Sequence, residues 1–136
     1  PGDACRDAIK TQIRQARSSL DICVFTISDD RITQEIGHAW DRGIKVRIIS
    51  DNDKQYDRGS DIKRLKSMGI PVATDFTDNH MHHKFAISDQ DLLLTGSYNW
   101  TRAAAAENDE NIVITNNPRL VRSFTRKFEE IWSKLG

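Results

Sequence analysis

The sequence predicts an α/β domain: a mixed, mostly parallel β-sheet flanked by helices on both faces. Short β-branched runs alternate with helical periods as far as Val72. A hairpin and one more strand follow, and a long amphipathic helix closes the chain.

The elements follow in order. From Asp3 to about Ser19 the apolar residues Ala8, Ile9, Ile13 and Ala16 recur at a helical period, with Asp3 a candidate N-cap. Leu20 to Thr26 is β-rich and reads as a buried strand. Asp30 is a candidate cap for a second helix through Trp40, striped by Ile32, Ile36 and Trp40 and closed by Gly43. Ile44 to Ile49 is the next strand. A polar stretch leads to a short helix near Asp61–Met68, ended by Gly69, and a strand near Val72. Lys84–Ser88 and Leu92–Thr95 form a hairpin around Asp89-Gln90. Asn111–Thr115 is the last strand. The final helix starts at Pro118, with Leu120, Phe124, Phe128, Ile131 and Leu135 on one stripe. No repeat, linker or low-complexity segment breaks the pattern, so residues 1–136 read as one domain.

Composition narrows the function. The 136 residues suffice for a real core. Twenty basic and 20 acidic side chains cancel, whereas proteins that grip duplex DNA through its backbone carry a basic excess. Any basic patch is therefore local. Cys5 and Cys23 sit in apolar surroundings without a CxxC pair and read as buried core thiols. A zinc site would need more cysteine or histidine at ligand spacing. No apolar run approaches a membrane span, and no secretory leader precedes the first helix. With Pro1 as the first residue, this carries no statement about where the protein resides.

The informative segment is His82-His83-Lys84, followed by Gly96-Ser97-Tyr98-Asn99. Strand alternation points His82 and Lys84 to one face and His83 to the other. With Asp89-Gln90 as a two-residue turn, Ser88 pairs with Asp91, and the ladder carried back sets His82 opposite Ser97. Asn99 stays on that face if the strand continues. Four polar side chains thus converge at one end of an apolar hairpin. Imidazole serves as nucleophile or proton carrier near neutral pH. Lysine supplies positive charge, Ser and Asn donate hydrogen bonds, and Gly96 lets a ligand approach the backbone. Such groups can stabilise a five-coordinate phosphorus without a metal. A lone histidine is more often structural or solvated, and His38 and His80 are read that way. Lys54, Arg58, Lys63, Arg64, Lys66 and Arg102 are candidates for a basic rim, and Tyr98 or Trp100 for stacking on a base. The competing reading is a solvated helix face for the basic residues and core packing for Trp100.

The spacing His82-x-Lys84-(x)4-Asp89-(x)6-Gly96-Ser97-x-Asn99 resembles the HKD signature of the phospholipase D superfamily, position for position. The segments Asp21 to Ile27, Asp51 to Lys54 and Gly96 to Arg102 are similar to its single-motif members, which include small bacterial nucleases and the mitochondrial cardiolipin hydrolase Zucchini. The resemblance implies the phospholipase D-like fold. It also implies a homodimer sharing one site, in which one His82 forms a phosphohistidine and the other protonates the leaving oxygen. The family's histidine-orienting glutamate matches Glu110 by spacing, with Glu107 an alternative. Asp89, at the turn, reads as structural rather than catalytic.

Hydrolysis of nucleic-acid phosphodiesters is the first expectation, with no cofactor and no metal required. A phospholipase D or cardiolipin hydrolase acting on phospholipid is the alternative; it would need an apolar rim for acyl chains. A non-catalytic nucleic-acid-binding module is the third. Neither the membrane-anchoring segment nor the cysteine/histidine zinc insert of the mitochondrial members is visible. The expectation is therefore a soluble enzyme of the bacterial cytoplasm or periplasm.

Overall fold

The computed structural model describes residues 2–51, 61–75, 84–96, 100 and 111–135. In chain order the elements are α1 (Gly2–Gln15), β1 (Ser19–Val24), α2 (Asp30–Asp41), β2 (Lys45–Asp51), α3 (Ile62–Ser67), β3 (Val72–Asp75), β4 (Lys84–Ser88), β5 (Leu92–Gly96), β6 (Ile112–Thr115) and α4 (Pro118–Leu135). The predicted elements are thus present among the described residues, within a few residues of their expected bounds.

The six strands form one sheet in the order β3-β2-β1-β4-β5-β6. The pairs β2–β3 and β1–β2 are parallel, while β1–β4, β4–β5 and β5–β6 are antiparallel. Four strands run one way, yet antiparallel pairings outnumber parallel ones, three to two. The cause is local: helices lie between the first three strands, and a tight turn joins β4 to β5.

Side chains alternate between two packed faces. Leu20, Ile22, Val24, Val46, Ile48, Ala86 and Leu94 face one core with α1, α2 and α3, and the other face, with Cys23, Ile49, Phe85, Ile87 and Leu93, lies under α4. Phe85 meets Phe124 edge to face, centroids 5.1 Å apart. Arg47 ties the layers together, pairing with buried Asp21 at 2.9 Å and Glu129 at 2.6 Å while lying 4.8 Å over the Phe128 ring. Both cysteines are buried and unbridged, and burial pushes the Cys23 thiol up to about 12. Among the described residues no helix is long and apolar enough to cross a membrane.

Three helix details differ from expectation: α1 already includes Gly2, so Asp3 lies inside the helix rather than capping it. Asp29, not Asp30, caps α2, its carboxylate accepting from the Arg31 N–H at 3.0 Å. Leu120, expected on the buried stripe of the last helix, is 47% exposed, and Val121 is buried in its place. The helix sits rotated on the sheet, so its first turn turns Leu120 outward.

Candidate active site

The carboxyl ends of β1, β2, β3 and β5 and the amino ends of β4 and β6 meet at one edge of the sheet. In open α/β sheets this edge holds the ligand sites. Lys84 opens β4 here, half-buried and paired with Val24 of β1. By alternation it shares the face of Ala86 and Ser88. The hydroxyl of Thr95 donates to its carbonyl at 3.5 Å. Gly96 closes β5 at the same edge, paired with Ile112. The structure therefore brings Lys84 and Gly96 together. His82, Ser97, Asn99 and Glu110 lie outside the described residues, as do His83, Tyr98, Glu107, Lys54, Arg58 and Arg102.

The hairpin register differs from the sequence expectation by one residue. Ser88 pairs with Leu92, not Asp91. Asp89 and Gln90 take left-handed conformations, φ 56° and 59°, and the Asp91 N–H closes the turn on the Ser88 carbonyl at 3.1 Å. Asp91 thus stays in the loop. The expected pair of His82 and Ser97 lies outside the described residues. One step past Phe85–Thr95, this ladder sets Lys84 across from Gly96.

The tertiary cause of the turn is Asp89, at the end of the hairpin remote from Lys84. Its carboxylate accepts from the backbone N–H groups of Arg17, Ser18 and Ser19 at 2.7–3.1 Å and from the Ser18 hydroxyl at 3.1 Å. The Asp89 N–H returns to the Ser19 carbonyl at 2.9 Å. Partial burial pushes this carboxyl up, but the converging donors outweigh it and hold it below the ordinary carboxylate range. A carboxylate with a depressed folded pKa stabilises fully above the unfolded value of about 3.9, and loses that contribution as pH falls through the folded value. Asp89→Asn tolerates the left-handed backbone but loses the charge. It should cost about 1–2 kcal/mol at neutral pH, read from denaturant midpoints. The gap to wild type should narrow below about pH 4. An equal gap at both pH values would show that the charge is irrelevant.

Two expectations about individual residues are corrected. Trp100 is 1% exposed and belongs to the core, so it is not a stacking platform on the rim. Its backbone bridges Ile27, and its carbonyl accepts from the N–H groups of Ser28 at 2.9 Å and Asp29 at 3.3 Å. The space beside Gly96 is filled by the backbone of Asn111 and Ile112, not left open to a ligand. Of the candidate basic rim, Lys63, Arg64 and Lys66 are exposed on α3. That helix begins at the same edge, where the Asp61 N–H donates to the Ile27 carbonyl at 2.8 Å. Arg64 lies 3.9 Å from Asp30.

Sequence reasoning missed Asp61. Burial pushes its carboxyl up, the Thr33 hydroxyl donating at 2.7 Å pulls it back, and nearby Asp30 raises it further. Thr33 is 28 positions away, and no local pattern marks the pair.

Residues 9–132 match the family described as cardiolipin synthase, PLD-like domain. Mitochondrial cardiolipin hydrolase of Chlamydomonas reinhardtii is 49% identical over 117 residues, covering 86% of this chain and 52% of its own length. The Homo sapiens protein of that name is 38% identical over 135 residues, covering 99% and 54%. The chain thus spans about half the length of the curated relatives it matches. The crystal structure of Nuc from Salmonella typhimurium, a phospholipase D family member, superposes with a TM-score of 0.89 at 30% identity, covering 98% of this chain and 90% of Nuc. The relatives overturn the expectation of a bacterial cytoplasmic or periplasmic home, because they are eukaryotic proteins named as mitochondrial. A missing anchor or zinc insert was a poor guide, since the chain covers only part of them.

Proposed function

From its membership of the phospholipase D superfamily, to which the chain belongs, we propose that it is a metal-independent phosphodiesterase working through a phosphohistidine at a site shared by two copies. The observation that carries this reading is the joint spacing of His82, Lys84, Gly96, Ser97 and Asn99, with Lys84 and Gly96 held at one sheet edge. The His82 imidazole attacks phosphorus, and the leaving oxygen departs with a proton from the second copy's His82. That imidazole, now neutral, activates water, which attacks the phosphohistidine and frees the enzyme. Lys84, Ser97 and Asn99 neutralise the non-bridging oxygens. Glu110 holds the imidazole in one tautomer.

Nucleic acid is the first substrate class, supported by the exposed Lys63, Arg64 and Lys66 on the helix that begins at the same edge. A phospholipid is the second, favoured by a specific observation. Val113 and Ile114 are 58% and 46% exposed on the strand that starts beside Gly96. As neighbours on one strand they face opposite sides of the sheet, and each leaves apolar surface open to an acyl chain. The names of the relatives favour this reading and a mitochondrial setting. Labelled single-stranded DNA, duplex DNA, RNA and cardiolipin, each incubated with the chain in EDTA, separate the two. Cleavage of nucleic acid should survive chelation. Cleavage of cardiolipin alone would establish the second reading, and activity lost in EDTA but restored by magnesium would refute the mechanism.

A further inference from the structure

Three large apolar side chains stand exposed among the described residues, and all lie between positions 113 and 120: Val113 at 58%, Ile114 at 46% and Leu120 at 47%. The same stretch opens a basic run. From Asn111 to Phe128 the chain carries Arg119, Arg122, Arg126 and Lys127 and no acidic residue, in a protein whose total charge cancels. All four are exposed on α4. Among the described residues Arg119, Arg122 and Arg126 have no carboxylate partner, whereas Arg14, Arg31 and Arg47 each hold one at 2.6–2.9 Å. Lys127 comes only within 3.7 Å of Glu130, with both side chains about half exposed.

Helical spacing collects these residues. Arg119, Arg122 and Arg126 recur at i, i+3 and i+7 and share one face, while Leu120, Phe124 and Lys127 share the face beside it. Half-buried Phe124 roots that second face, its ring 5.1 Å from Phe85, and Phe85, Ser123, Phe124 and Lys127 line a cleft of about 230 Å³. The sheet extends the apolar strip. Phe85 pairs with Thr95 and Thr95 with Val113, so the three form a row across β4, β5 and β6 on the face under α4. Val113 is thus two strand spacings, about 10 Å, from Phe85. Ile114 stands on the opposite face and takes no part. The row lies one residue in from the sheet edge where Lys84 is set across from Gly96.

Charge decides what covers this surface, and we infer that β6 and the first turns of α4 form a docking surface for an anionic phospholipid bilayer. Val113 and Leu120 enter among the acyl chains, and Arg119, Arg122, Arg126 and Lys127 meet the lipid phosphates. Arg119 lies in the first turn of α4, where a cation adds to the positive end of the helix dipole. That placement costs the helix stability and concentrates positive charge where anions are drawn. A second copy of the chain fits poorly, because a two-fold interface would set this all-positive surface against itself. A nucleic acid would use the arginines but leave Val113 and Leu120 in water. The inference goes beyond the phosphodiesterase reading and stands whatever the chain cleaves; it holds the edge carrying Lys84 at the headgroup layer.

Cosedimentation of the chain with vesicles tests this without any turnover. Vesicles of phosphatidylcholine containing cardiolipin should be bound about a hundredfold more tightly than phosphatidylcholine alone, and binding should weaken as salt is raised. The triple variant Arg119→Gln, Arg122→Gln, Arg126→Gln should lose about a hundredfold of that affinity, about fivefold per charge, and most of the salt dependence. The double variant Val113→Ser, Leu120→Ser should lose about tenfold and keep the salt dependence. Circular dichroism checks both folds; if a combined variant does not fold, Arg122→Gln and Leu120→Ser replace it, each with a loss of about threefold to fivefold. A wild-type chain indifferent to cardiolipin, or variants that bind as wild type does, overturns the inference. So does a loss confined to an RNA oligonucleotide measured in parallel, which would make the arginines a nucleic-acid contact. A change in dimer content with vesicle binding intact would likewise overturn it, making Val113 and Leu120 an interface between copies. A chain that binds the vesicles but cleaves no phosphodiester refutes only the phosphodiesterase reading.

Discussion

His82→Ala is expected to abolish turnover of every phosphodiester the chain cleaves, while the thermal midpoint stays within about 2–4 °C of wild type. The fold should persist because both packed faces of the sheet are built from other residues, from Leu20 and Ile22 on one side to Phe85 and Phe128 on the other. His83→Ala should keep most activity, since alternation along an extended chain would set it on the face opposite Lys84. An essential His83 with a dispensable His82 would reverse the assignment. The same variant tests the shared site. Co-expressed in equal amounts with wild-type chains under different tags, it leaves all-wild-type dimers about a quarter of the time. Activity should then fall toward a quarter of that from the same total of wild-type protein. A value near one half in a verified mixture would mean that each chain works alone.

Lys84→Met should lower kcat/KM by about a hundredfold, comparable to losing one oxyanion donor. Methionine keeps an unbranched apolar stem but removes the ammonium, so the loss reports charge rather than packing. The position suits this reading, because β1 on one side and β5 on the other hold the strand that Lys84 opens. Lys84→Arg should recover only part of the rate, since a planar guanidinium replaces a compact point charge. Steady-state rates at low substrate measure both variants, and a Lys84→Met enzyme within twofold of wild type would remove lysine from the chemistry.

Local pattern alone decided much about this chain. Period-two and helical runs placed the described strands and helices, because each buries one face and its apolar residues must recur with its own geometry. The spacing from His82 to Asn99 named the candidate chemistry, since those residue types act only as a set. The folded chain decided what depends on partners distant in sequence. The hairpin register follows from Asp89 reaching Arg17, 72 positions earlier, which no hairpin rule anticipates. Trp100 is buried because its backbone docks beside Ile27 and Asp29, and its aromatic character could not separate core from rim. Leu120 and Val121 exchange places because the rotation of α4 on the sheet is set by packing, which helical period leaves free by about one residue. Gly96 reads locally as room for a ligand, and it took the backbone of Asn111 to show what fills that room. Periodicity reports which face a residue presents; only the tertiary structure says what lies against it.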